Sequence, residues 1–130
     1  MLVVDATVAF DAAFDDIIFD RIEAMDPVGP PLLWSETTAA LRQAAFRGSV
    51  TDDEASTALS RFLSSPIERR SPRRLYLEAW DLAAQLGWAK TYDAEYIALA
   101  RLLNCPVLTK DGRLKRRAAR LAEIIGPTQL

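Results

Sequence analysis

The chain has 130 residues, half of them hydrophobic, with 16 Lys and Arg against 18 Asp and Glu, a formal charge of −2, no histidine and one cysteine. Those counts exclude Ser-His-Asp and Cys-His nucleophiles, two-histidine ribonuclease chemistry, Cys/His zinc sites and any internal disulfide, so carboxylates must carry whatever chemistry the protein performs. The small net charge hides a division: residues 1–65 sum to −7 and residues 66–130 to +5, which directs the search for an anionic partner to the second half.

No repeat and no Gly-, Ser- or Pro-rich linker divides the sequence, so a single domain over residues 1–130 is expected. MLVV at residues 1–4 reads as a buried strand, followed by a helical stretch over residues 7–25 with a break near Asp15. Asp26, Pro27, Gly29 and Pro30 then read as a stop. Residues 32–34 form a very short strand candidate, after which Ser35 is placed to cap a helix that runs to Arg47 and ends at Gly48. Thr51 and Glu54 make a capping box ahead of Ala55, Ala58, Leu59, Phe62 and Leu63 at helical spacing. Residues 67–69 suggest a minor strand, and Ser71 and Pro72, as Ncap and N1, predict a helix closed by Gly87.

The run over residues 92–103 is apolar on nearly every side, which marks a buried helix. Residues 106–109 read as a strand, residues 114–122 as a basic amphipathic helix, and Ile124 and Ile125 as a last strand. Strands alternating with helices predict an α/β fold whose parallel sheet is covered on both faces. No segment approaches the ~20 apolar residues of a membrane span. The apolar N-terminus lacks a basic region and carries Asp5, so no signal peptide is expected, and a cytoplasmic location suits the lone Cys105.

Asp5 follows the first strand, Glu36 the segment LLWS, and Asp111 the run PVLT, while Asp93 opens the buried helix. In a parallel sheet these positions all face the carboxyl edge, where open α/β folds place their ligands. Each acid alone has an ordinary explanation as a helix N-terminal or turn residue. Gathered together, four like charges repel unless a cation neutralises them, and without His or Cys ligands the implied ion is Mg²⁺ or Mn²⁺. Thr7 and Thr109 lie two residues from Asp5 and Asp111 and are expected on the same side of an alternating strand, as supporting hydroxyls.

The five glycines are too dispersed for a dinucleotide fingerprint or a P-loop, and Asp5 lacks the adjacent acid of a phospho-acceptor receiver domain. Basic residues cluster at 69–74 and 113–120. Arg73 and Arg74 fall in the first turn of a predicted helix, where the helix dipole disfavours cations, although a pairing of Arg74 with Glu78 offers a structural reason. Arg73, Arg74, Arg113 and Arg116 are the candidates for phosphate contacts with a nucleic-acid strand.

LVVDATV with Asp5, SETTAALR with Glu36, TYDAEYIALA with Asp93 and VLTKDGRL with Asp111 resemble the PIN domain family, in particular its VapC-type toxins of toxin–antitoxin pairs, over essentially the whole chain. The resemblance implies a PIN-like three-layer α/β/α sandwich with a central parallel β-sheet. It also implies a Mg²⁺- or Mn²⁺-dependent endoribonuclease with an RNA substrate, a small antitoxin partner and a homodimeric assembly. Carried across by motif, Asp5, Glu36, Asp93 and Asp111 are the metal-site and catalytic acids, and Thr7 a supporting hydroxyl. Ala40 departs from the family pattern, since many relatives carry Asn four residues after the glutamate. A nuclease of RNA maturation and a protein-binding module on the same fold are the alternatives.

Overall fold

The computed structural model describes residues 1–130. The first apolar run forms β1 (Leu2–Val4), and α1 (Ala6–Phe14) and α2 (Asp16–Glu23) follow it, separated at Asp15, whose side chain caps α2. Next come β2 (Pro27–Gly29), α3 (Leu32–Phe46), α4 (Asp52–Leu63) and β3 (Glu68–Arg69). The chain continues through α5 (Leu75–Leu86), α6 (Tyr92–Leu103), β4 (Val107–Leu108), α7 (Gly112–Ala118) and β5 (Ile124–Ile125).

All strand pairs are parallel and the spatial order is β3-β2-β1-β4-β5. The first two crossovers step outward from β1 in one direction, and the next carries the chain back across β1 to β4. Because such crossovers are right-handed, the reversal puts α1–α4 on one face of the sheet and α5 and α6 on the other, giving three layers. Consistent with this, α1, α3 and α4 pack on one another, whereas α5 packs on α6, and α6 lies against β1 and β4. The reversal also opens a crevice at the carboxyl ends of β1 and β4.

Two expected elements are displaced. Residues 32–34 are the first turn of α3 rather than a strand, and the preceding Pro27–Gly29 segment, expected as a stop, is the strand β2. Pro27 is tolerated as the first residue of a strand, and Pro31 stands at the N-cap of α3, where no intrahelical N–H is needed. Gly29 is required by a close approach: a Cβ there would collide with Leu33, which is fully buried on the next turn. Likewise α5 begins at Leu75, so Ser71 and Pro72 precede it outside any helix, and Arg73 and Arg74 form the turn before it.

The capping box of α4 forms as expected, with Glu54 N–H donating to Thr51 Oγ1 at 3.0 Å and Thr51 N–H to Glu54 Oε1 at 3.1 Å. α6 spans the expected residues, and its segment from Ala94 to Ala100 is wholly buried. One contiguous core of apolar side chains from β1, β2, β4 and the flanking helices holds the sheet edge in place.

Candidate active site

Asp5 leaves β1 in extended conformation and is the N-cap of α1. Its Oδ1 accepts from Thr7 N–H (3.1 Å), Val8 N–H (3.2 Å) and the Thr7 hydroxyl (2.6 Å), and its Oδ2 accepts from the Thr109 hydroxyl. Each threonine oxygen in turn accepts a backbone N–H from the loop after β4: Lys110 N–H reaches Thr7 Oγ1 at 3.0 Å, and Asp111 N–H reaches Thr109 Oγ1 at 2.9 Å. Two hydroxyls thus relay the β4–α7 loop onto Asp5. Thr109 serves Asp5 rather than the Asp111 carboxylate, and Thr7 lies inside α1, so the expected strand alternation is not what brings either hydroxyl to the site.

Burial pushes the Asp5 carboxyl up from its ordinary value of 3.8, while the hydrogen bonds from Thr109, Thr7 and Val8 pull it down and leave a net rise. Glu36, on the second turn of α3, is raised by burial and by the charges of Asp93 and Asp5; the opposing influence is the Tyr96 hydroxyl, which donates to Glu36 Oε1 at 2.5 Å. Asp93, in the first turn of α6, is raised by burial and then by Asp111, against the lowering influence of Arg113 and Arg117. Asp111 is the N-cap of α7, accepting from Arg113 N–H at 2.9 Å and Leu114 N–H at 3.3 Å.

The four acids are therefore linked pairwise around the crevice: Asp5 with Glu36, Glu36 with Asp93, Asp93 with Asp111. No three of them are close enough to one point to ligate a single ion together in this arrangement. The donor set is all oxygen, and its mutual repulsion is of the kind that a hard divalent cation relieves.

Two neighbours went unseen in the sequence. Tyr96 is fully buried three residues after Asp93, hence on the same side of α6, and burial with the Glu36 bond drives its phenol far above the ordinary range. Glu95 is a buried acid with an unpartnered Oε1, raised by burial and by Glu36. An acid inside an otherwise apolar run was the available signal.

Among the basic residues, Arg113 and Arg117 bear on Asp93, and Arg117 also lies over the Trp88 ring at 5.3 Å. Arg73 and Arg74 stay exposed in their turn, with no ion pair to any of the acids. The expected pairing of Arg74 with Glu78 is replaced by a bond from Arg101 of α6 to Glu78 at 3.1 Å, and the argument from the helix dipole lapses because neither arginine is in the first turn of α5.

Comparison with known proteins agrees with this architecture. VapC ribonuclease Mb0985 of Mycobacterium bovis is 33% identical over 115 residues, 88% of each chain. Ribonuclease VapC12 of Mycobacterium tuberculosis is 30% identical over 128 residues, 95% of this chain and 97% of the relative. PAE2754 from Pyrobaculum aerophilum superposes with a TM-score of 0.78 at 23% identity, covering 98% of this chain and 91% of that one. VapBC2 from Rickettsia felis, solved bound to a DNA fragment from their promoter, gives a TM-score of 0.69 at 14% identity, covering 97% and 98%. The profile of the PIN domain matches residues 2–120, a span that holds all four acids and four of the five strands, and the chain accordingly belongs to the PIN domain family.

Proposed function

We propose that the protein is a VapC-type endoribonuclease, dependent on Mg²⁺ or Mn²⁺, that acts in the cytoplasm as the toxin of a toxin–antitoxin pair. The observation that carries the reading is the meeting of Asp5, Glu36, Asp93 and Asp111 at the crevice where the sheet order reverses. Relatives named as ribonucleases over most of their length support it.

Those four acids would hold the cation only by drawing closer together around it than they stand in this arrangement, and the chemistry it would supply when bound is Lewis acidity toward water and a phosphoryl oxygen. The chain's own residues prepare the site. The threonine relay fixes the Asp5 carboxylate, Tyr96 orients Glu36, and Thr109 ties the Asp111 backbone to the same point. Arg113 and Arg117 offer positive charge beside Asp93, where phosphates of the RNA would pass; Arg116, Arg73 and Arg74 are the further candidates for phosphate contacts.

The antitoxin silences the enzyme by covering the acid edge with a cationic side chain. A second copy of the chain is the remaining partner, and α5 suits it by exposing Tyr76 (60%), Leu77 (62%) and Trp80 (70%) along one helix.

The test is cleavage of RNA by the purified protein. Activity should need Mg²⁺ or Mn²⁺, stop with EDTA, and leave 5′-phosphate and 3′-hydroxyl ends, because water rather than the RNA 2′-hydroxyl is the nucleophile. A 2′,3′-cyclic phosphate among the products would overturn the mechanism.

A further inference from the structure

Beside the carboxylates a cleft of about 410 Å³ runs between α1 and α3 and reaches the loop after β4. Thr7 and Glu36 lie in its wall, so it opens directly onto the candidate active site. Its size falls in the range of pockets that hold small ligands, about 300–1,000 Å³.

The remaining lining is chemically selective. Phe10, half-buried, is braced edge-on by Phe14 with ring centroids 5.2 Å apart. Gln43, on the last turn of α3, and Arg47, its C-cap, are exposed, and neither side chain has a protein partner. Lys110 is paired with Asp11, which neutralises the acid that would otherwise repel an anionic ligand. Ala40 contributes only a methyl group to the lining, leaving space that a longer side chain would fill.

We propose that this cleft is a nucleobase pocket that selects the residue flanking the scissile phosphate. The inference rests on the ribonuclease reading and adds to it the origin of sequence preference. A base offers a flat face to Phe10 and a hydrogen-bonding edge to the Gln43 amide, while its phosphate meets the free guanidinium of Arg47. The four charged side chains of the lining, Asp11 and Glu36 against Lys110 and Arg47, cancel, which suits an uncharged base better than the charged side chain of a basic peptide.

The experiment compares wild type, Gln43→Ala and Ala40→Leu, each free of partner, cutting a randomised RNA pool whose ends are then sequenced. The wild type should prefer one base at one position beside the cut. Gln43→Ala should weaken that preference about tenfold, and Ala40→Leu should shift it toward smaller bases, with preferences elsewhere unchanged. Gln43 is exposed, so its variant keeps the fold even if the Ala40 variant does not. An unaltered preference at that position in both folded variants, or a wild type without base preference, overturns the pocket. Variants that weaken only antitoxin inhibition, titrated in the same samples, assign the cleft to the protein partner and overturn it too. Failure of the wild type to cut any RNA overturns the ribonuclease reading itself, whereas cutting with unchanged preference defeats only the pocket.

Discussion

Asp93 accepts no hydrogen bond from the protein, whereas both oxygens of Asp5 are occupied by four donors, so the same substitution has different consequences at the two acids. In Asp93→Asn the carboxylate that repels Asp111 and Glu36 disappears without leaving a donor stranded. RNA cleavage should fall at least about a hundredfold while the melting temperature holds or rises slightly. In Asp5→Asn the amide nitrogen must face either the Thr109 hydroxyl or the Thr7 donors, and the helix cap suffers. Cleavage is lost there as well, but urea denaturation should show a cost of about 1–3 kcal/mol. Equal stability of the two variants would contradict the relay through the threonines. The acids also set a pH dependence. Asp5, Glu36, Asp93 and Glu95 all have folded values above the ordinary 3.8 for Asp and 4.5 for Glu, so the native state holds protons more tightly than the unfolded chain. Their contribution to stability is therefore most favourable below those ordinary values and declines as pH rises through the raised ones. Glu54, held below its ordinary value by Thr51, acts in the opposite sense and loses its contribution as pH falls. The stability gained by Asp93→Asn should be largest at neutral pH and vanish on acidification, as thermal melts of metal-free protein across that range would reveal.

At the level of elements, α6 meets α3 through one bond, from the Tyr96 hydroxyl to Glu36. Tyr96→Phe keeps the ring in the core and removes only that donor. Cleavage should drop about tenfold and half-saturation by Mn²⁺ move to higher concentration, with little change in fold, since an oriented carboxylate is a better ligand than a free one. Unchanged Mn²⁺ binding measured by calorimetry would make the tyrosine purely structural. Much of this framework was legible beforehand because its causes are local. The Thr51–Glu54 box, the apolar run of α6 and the break at Asp15 all formed where expected. The errors came where a distant partner overrules a local signal. Pro27 and Gly29 look like a stop until β1 and β3 supply hydrogen bonds on either side, and Ser71 with Pro72 looks like a helix start until the turn at Arg73 and Arg74 postpones it to Leu75. All four acids were visible as residue types at strand and helix ends. Tyr96 and the direction of the Thr109 bond were not, because each depends on a contact between segments far apart in the chain.

For the whole molecule, surface and topology matter more than any single contact. The apolar face of α5 predicts self-association: Trp80→Glu should convert a dimer seen by sedimentation into a monomer, with the melting temperature of the protomer little changed, because the side chain is mostly exposed. A monomeric wild type would remove that role from α5. The charge division followed the layers less simply than the sequence suggested: the arginines that bear on Asp93 are Arg113 and Arg117 of α7, and the cleft beside Glu36 gains its cations from Arg47 and Lys110. The strand order has a further consequence during protein synthesis. The neighbour of β1 in the sheet is β4, Val107–Leu108, so one side of the central strand stays open until the ribosome has added about a hundred more residues. Asp5 leaves the tunnel long before Thr109 and Asp111 exist to hold it. A growing chain thus carries the acid but not the site, and whatever chemistry this crevice performs is deferred until β4 and the loop after it have been made and have folded onto β1.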